Sequence, residues 1–167
     1  MKIKILLLFH FFFSSMSLPK VWHVDQNTAN HADYTNLQAA IDAAQVQDTI
    51  YVVGHPANYG SANISKYLVL IGAGYFLQEN SGMQAYPFSS QITQVQFFAG
   101  SANAVVCGFE ITSGVMMGSD NVTLSRNNIW AISNYYWGAN AILWTGGNHN
   151  NCIIECNFIS GFNCLTL

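Results

Sequence analysis

Three stretches of this chain align without a gap: NAVVCGFEI at 103–111, NVTLSRNNI at 121–129 and NCIIECNFI at 151–159. Each opens on Asn and places apolar residues at its second and fourth positions: Ala104 and Val106, Val122 and Leu124, Cys152 and Ile154. Each then closes on Ile after a short polar or glycine-bearing break. Alternation with a period of two is the signature of a strand, and a break followed by another apolar residue is a bend into a second strand. The runs GVMMG from Gly114 and AILWTGG from Ala141 add a further short strand before two of the units. The units begin 18 and 30 residues apart. Irregular rungs accommodate both offsets, because corner loops of a solenoid lengthen without disturbing the stack. The pattern predicts an all-β fold of stacked strands. It also sets Asn127 and Asn157 at equivalent bend positions, with Phe109 in that place one unit earlier. Amides stacked about 4.8 Å apart satisfy one another's donors and acceptors at a buried corner, forming a short structural ladder; two ordinary turn asparagines are the plainer alternative.

The front of the chain has a different period. In YTNLQAAIDAAQ at 34–45, Leu37, Ile41 and Ala44 fall on one helical face, with Thr35 or Asn36 able to cap the first turn. The strand DTIYVV, a Gly/Pro/Asn-rich turn at 54–60 and the strand YLVLIG follow. A helix ahead of stacked strands covers apolar core and unpaired strand groups that a first rung otherwise exposes. Before it, Lys2 and Lys4 lead an apolar run from Ile5 to Phe13 and the small residues Ser14, Ser15 and Ser17. That is the order of a secretory signal peptide, and the run is too short to span a bilayer, a retained anchor being the alternative. The expected organisation is a signal peptide at 1–17, an N-terminal segment with a capping helix at 18–48, and strand rungs at 49–167. Localisation is then secreted or cell-surface, with no membrane span after cleavage.

Past residue 17 only Lys20, Lys66 and Arg126 remain against eight acids, too few cations to neutralise a phosphate backbone, so nucleic acid is excluded as a partner. Export permits disulfides. The spacing of Cys107, Cys152, Cys156 and Cys164 does not resemble a disulfide scaffold, and Cys152-x-x-x-Cys156 lacks zinc partners; free buried thiols are expected, one disulfide being the alternative.

The opening YTNLQAAIDAAQVQDTIYVVGHPANYG, the following ISKYLVLIGAGYFLQEN, and the units SDNVTLSRNNI and NNCIIECNFI together resemble pectate-lyase-like right-handed parallel β-helix proteins, closest to the exported β-helix repeat proteins of Bacteroidetes-type bacteria. The resemblance runs from about Tyr34 onward. It implies a right-handed parallel β-helix with an N-terminal capping helix, and says little about activity, since such folds carry lyases, hydrolases, epimerases and adhesins. GFNCLTL at 161–167 looks like the start of another rung, so the chain reads as the N-terminal part of a longer solenoid with an open C-terminal end through which it could oligomerise.

A lyase of this fold would use a basic residue to remove a proton and clustered acids to hold calcium, an ion that prefers several oxygen ligands. The weak candidates are Arg126, Asp120 and Glu155, whose plainer reading is an exposed Arg126–Glu155 ion pair. A hydrolase needs two facing carboxyls, and Glu110, Asp120 and Glu155 form no close paired-acid motif. No cofactor is expected, calcium entering only with the lyase alternative. His23, His31, His55 and His149 are scattered and read as surface or capping residues. The aromatic insertion holding Tyr135, Tyr136 and Trp137, with Trp130 and Trp144 at its edges, offers flat faces for sugar rings, or packs back on the wall. The sequence therefore supports an exported, non-catalytic surface or adhesion-type module, with a polysaccharide or cell-surface glycan as partner. The alternative is the N-terminal part of a polysaccharide lyase or glycoside hydrolase acting on acidic or plant-type polysaccharide.

Overall fold

A computed structural model of the protein describes residues 18–77, 79, 87–130, 132–134, 138–146 and 149–160. The expected signal peptide at 1–17 lies outside them, as do Tyr135, Tyr136, Trp137, Cys164 and the expected rung start at 161–167. The described chain opens with β1 (Val21–Val24), the helix α1 (Leu37–Ala43) and β2 (Thr49–Val52). Strands β3 (Ala62–Ile64), β4 (Val69–Ile71), β5 (Ser90–Ile92) and β6 (Val95–Phe97) follow. Next come β7 (Val105–Cys107), β8 (Phe109–Ile111), β9 (Val115–Met117), β10 (Thr123–Ser125) and β11 (Asn128–Trp130). A hairpin of β12 (Ile132–Asn134) and β13 (Gly138–Asn140) precedes β14 (Ile142–Trp144), β15 (Ile153–Glu155) and β16 (Phe158–Ser160).

These strands form three parallel sheets. The first runs β1-β2-β4-β7-β10-β15, the second β5-β8-β11-β16 and the third β3-β6-β9-β14. From β4 onward the chain visits the first, second and third sheets in turn, so each circuit adds one strand to each; the antiparallel β12–β13 hairpin is inserted in one circuit. Among the described residues no sheet closes on itself. The sequence repeats map directly onto this register: Val106 pairs with Leu124 and Leu124 with Ile154, while Ile111 pairs with Ile129 and Ile129 with Ile159. Parallel sheets buried on both faces read as continuous apolar runs. Here the short strands alternate because one face alone is buried. The inward columns Ile50-Leu70-Val106-Leu124, Ile92-Ile111-Ile129 and Ala62-Val95-Val115-Ile142 are sealed from solvent. Each such side chain contributes about 1.5–3 kcal/mol relative to an exposed one, with Ala62 well below that range.

The helix has the predicted apolar face. Leu37, Ala40 and Ile41 are buried, and the Asn36 side chain caps the first turn by accepting from Ala39 N at 2.9 Å. Two strand sets escaped the sequence reading: β1, which pairs with β2, and the stretch before residue 103 that holds β3, β5 and β6. Their alternating runs are only three or four residues long and are too short to separate from loop by period alone.

The bends carry the backbone strain. Gln47, Asn103, Asn121 and Asn151 share a column in the first sheet's register, and all adopt left-handed φ of 55–73°. Asn tolerates that region better than other side chains, which is why each repeat opens on it. A second left-handed column, Gly108, Arg126 and Cys156, turns the chain from the first sheet into the second. Immediately after it come Phe109, Asn127 and Asn157. The Asn127 side chain is sealed; its Oδ1 accepts from Phe109 N at 3.0 Å and its Nδ2 donates to Val106 O at 2.9 Å. One strand further on, Asn157 Oδ1 accepts from Asn127 N at 2.8 Å and from Asn127 Nδ2 at 3.1 Å, and Asn157 Nδ2 donates to Leu124 O at 2.8 Å. Ser90, on the other side of Phe109 in this column, serves similarly: Oγ accepts from Ala73 N and donates to Val52 O.

A buried carboxylate ties the N-terminal strand to its neighbour. Asp48 Oδ1 accepts from Lys20 N at 2.7 Å, and Oδ2 accepts from Trp22 Nε1 and Gln45 N, each at 2.8 Å. Lys20 Nζ sits 3.2 Å above the Trp22 ring. Burial raises the carboxyl's pKa, but the three hydrogen bonds and the Lys20 charge outweigh it, so Asp48 titrates below the ordinary carboxylate range. A depressed folded pKa gives stability that is present above the unfolded value, about 3.9, and is lost as pH falls through the folded one.

Two predictions follow from these contacts. Asn127→Ala should lower the unfolding free energy by about 2–4 kcal/mol, because it strands Phe109 N and Val106 O in the interior. Asn157→Ala, at a half-buried site, should cost less; denaturant titrations showing under 0.5 kcal/mol for both would remove the amide pair from the structural account. Acid titration of the wild type should show stability falling below about pH 4, with a shallower fall in Asp48→Asn. Equal slopes for the two proteins would mean that Asp48 is not the linked group.

Candidate functional site

The sequence candidates do not assemble. Arg126 is exposed at a bend with φ 54°, and its backbone N donates to Glu155 O at 3.3 Å, so its conformation belongs to the turn. Glu155 is exposed on β15. Among the described residues no ion pair joins Arg126 to Glu155 or Asp120, which corrects the expected Arg126–Glu155 pair: the turn brings their backbones together, not their charges. Asp120 is engaged elsewhere. Its Oδ1 accepts from Asn150 N at 3.0 Å and lies 3.4 Å from His149 Nδ1. His149 Nε2 is 2.7 Å from Thr145 O, and its ring stacks on Trp144 at 6.0 Å between centroids. His149 and Asp120 thus hold the loop between β14 and β15.

His23 and His31, two of the four histidines that read as scattered surface or capping residues, line one cleft of about 350 Å³ together with Asp25 and Asp33. Its two carboxylates are occupied by the turn itself: Asp25 accepts from Asn27 N and Asn30 Nδ2, and Asp33 accepts from His23 N. Among the described residues no three His, Cys, Asp or Glu side chains come together as a metal site. Cys107, Cys152 and Cys156 are free thiols, half-buried or exposed rather than fully buried as expected.

A larger cleft, of about 400 Å³, opens on the outer face of the second sheet. Its floor is the column Gln91-Glu110-Asn128, one residue from each of β5, β8 and β11 in register. These side chains face outward because their neighbours, Ser90, Phe109 and Asn127 on one side and Ile92, Ile111 and Ile129 on the other, fill the interior. Trp130, two residues beyond Asn128 on the same outward side, stands at the edge with half its surface exposed. His55, Pro56, Phe76, Leu77, Glu79, Pro87, Phe88 and Ser89 complete its lining among the described residues.

Several of the lining residues are held by contacts around them. His55 N donates to Ser89 O at 3.2 Å, and Gly54 lies so close to Phe88 that a Cβ there would sit 1.8 Å from the Phe88 carbonyl oxygen. Phe76 meets Phe158 edge-on at 5.2 Å, and Tyr75 Oη donates to Cys156 O at 3.4 Å. Ser89 Oγ donates to Glu110 Oε2 at 2.5 Å, fixing that carboxylate in the cleft and leaving Oε1 to accept. His55 Nδ1 accepts from Ala57 N at 3.0 Å, which places the proton of the neutral ring on Nε2. Asn128 is 3% exposed, and its Oδ1 has no hydrogen-bond partner among the described residues. A buried acceptor without a donor costs about 1–3 kcal/mol, so its position at a cleft calls for a functional account.

This cleft was legible in part. Glu110, Asn128 and Phe158 share the eighth position of the three aligned repeats, so their common column could have been read from the alignment. Gln91 and Glu79 could not, since neither lies in a repeat. No protein family model matches this chain, and no curated protein or solved structure matches it either.

Because Arg126 occupies a left-handed bend whose earlier counterpart is Gly108, Arg126→Gly should raise stability by about 0.5–1 kcal/mol. Thermal and denaturant unfolding measure it; a clear loss of stability would show that the Arg126 side chain makes contacts the fold needs.

Proposed function

We propose that the protein is a glycan-binding module of the exported, surface or adhesion type, built on a right-handed parallel β-helix, and that the cleft over the second sheet is its binding site. The single observation that carries this reading is the cleft's composition. A floor of Gln91, Glu110 and Asn128 is bordered by Trp130, Phe76 and Phe88, a polar strip between flat apolar faces. Sugar rings present the same combination, with hydroxyls around the edge and C–H faces above and below. The three in-register sheets, visited in cyclic order, support the β-helix scaffold. A rigid wall of short strands also suits an extended ligand, since successive floor residues repeat at the strand spacing of about 4.8 Å. Tyr135, Tyr136 and Trp137, the aromatic candidates from the sequence, lie outside the described residues, and the role of platform passes to Trp130. Export and a surface location rest on the sequence at 1–17. Among the described residues no helix is long and apolar enough to cross a membrane.

A second reading, glycoside hydrolysis, is favoured by one feature: Glu79 and Glu110 line the same cleft. Release of reducing ends from a polysaccharide panel, abolished by Glu110→Gln, would establish it over simple binding.

The binding reading predicts measurable affinity for at least one oligosaccharide class in a glycan panel, checked by calorimetry. Trp130→Ala should weaken it by about tenfold or more, the loss expected for one stacking aromatic. Binding unchanged in Trp130→Ala would place the site elsewhere, and no binding across the panel would remove the proposal.

A further inference from the structure

Resting on the glycan-binding reading, we infer that the cleft selects a glycan bearing a free amino group, an amino-sugar oligomer, and rejects uronate-bearing chains. The argument is one of charge and of donor count. Two carboxylates, Glu79 and Glu110, line the cleft, and no Lys or Arg lines it. The chain's cations beyond residue 17 are all placed elsewhere. Lys20 lies over Trp22, Lys66 Nζ donates to Asp42 O and Ala44 O, and Arg126 sits at its bend. His55 is the one basic side chain among the described lining residues, and its Nδ1 already accepts from Ala57 N. A uronate carboxylate entering here would face two like charges with no Lys or Arg to offset them, whereas an ammonium would be attracted.

The acceptors make the choice more specific than charge alone. Glu110 holds Oε2 toward Ser89, which leaves Oε1 free to accept. Asn128, directly beside it on the next strand, is 97% buried and keeps an unpartnered Oδ1. Their strands are spaced about 4.8 Å apart. One tetrahedral ammonium donating at about 2.8 Å to two oxygens holds them about 4.6 Å apart, a close match to that spacing. An ammonium offers three donors and no acceptor, so it satisfies both oxygens without bringing a lone pair against either. A hydroxyl can donate to only one of them. The sugar ring carrying the amine then lies toward Trp130, two residues along the same strand.

The test compares β-linked glucosamine oligomers with their fully N-acetylated counterparts, oligogalacturonate and an oligolysine peptide, all by calorimetry on the full chain at near-physiological salt. The expected result is at least about tenfold tighter binding of the glucosamine oligomer than of the N-acetylated one. Oligogalacturonate should give no measurable binding, and the preference should shrink as salt is raised. Glu110→Gln should bring the amino and N-acetylated oligomers within about twofold of each other. Glu79→Gln, a change on an exposed side chain outside the sheets, should reduce the preference in the same direction and guards against a folding failure of the first variant. Equal binding of both glucosamine forms, or tighter binding of oligogalacturonate, overturns this inference and leaves the glycan-binding reading standing. Oligolysine competing as well as the sugar reduces the effect to general charge attraction and also overturns it. No binding by any oligosaccharide overturns both.

Discussion

A strand of three residues has little hydrogen bonding of its own, so this fold depends on how its bends satisfy the backbone between strands. The first sheet gives way to the second through a left-handed residue followed by a side chain that faces inward, and the inward side chain does the work. At Asn127 one amide serves the backbone N–H of Phe109 and the carbonyl of Val106, and accepts nothing from solvent. Asn157 repeats the arrangement one strand on, toward Asn127 N and Leu124 O. Replacing either amide by an apolar residue would leave unmade the two backbone groups it serves, a cost comparable with the burial of a whole aliphatic side chain. The apolar columns supply the driving force for stacking; the amides decide that the stack has one register.

That register is also what makes the cleft. Inward and outward positions alternate strictly, so fixing Phe109 and Asn127 in the interior obliges Glu110 and Asn128 to face out side by side. The bend chemistry and the proposed binding chemistry are therefore neighbours along the chain, one residue apart, on opposite faces of the same sheet. Phe88 and Ser89, just before β5, add lining that the sheet alone lacks, and they are held by backbone contacts at Gly54 and His55.

The residues that attracted attention as charges turned out to serve local structure. Arg126 turns a corner, Asp120 anchors a loop through Asn150 and His149, and Asp25 and Asp33 organise the turn after β1. Asp25 and Asp33 act within about ten positions of where they stand, whereas Asp120 meets its partners on the following rung. Glu79 and Glu110, which share the larger cleft, are 31 positions apart and have no sequence pattern in common.

The sequence by itself determined the local terms of the structure. Alternating apolar residues set the strands, the Asn that opens each repeat set a left-handed turn, Asn36 set the start of the helix, and the equivalence of Asn127 and Asn157 set the amide pair. Each of these depends on neighbours within a few residues or on a repeat that the eye can align. Only the tertiary structure decided that Gln91 joins Glu110 and Asn128 in one floor, that Trp130 borders it, and that Phe76, Leu77, Glu79, Pro87 and Phe88 line it. Those residues come from different circuits, separated by variable loops, and their meeting is fixed by sheet register and by the path of one irregular segment, neither of which has a local signature. The strands could be read from the chain because their chemistry is periodic; of the cleft only the Glu110–Asn128 column shares that period, and the rest exists only between strands that the stack has already aligned.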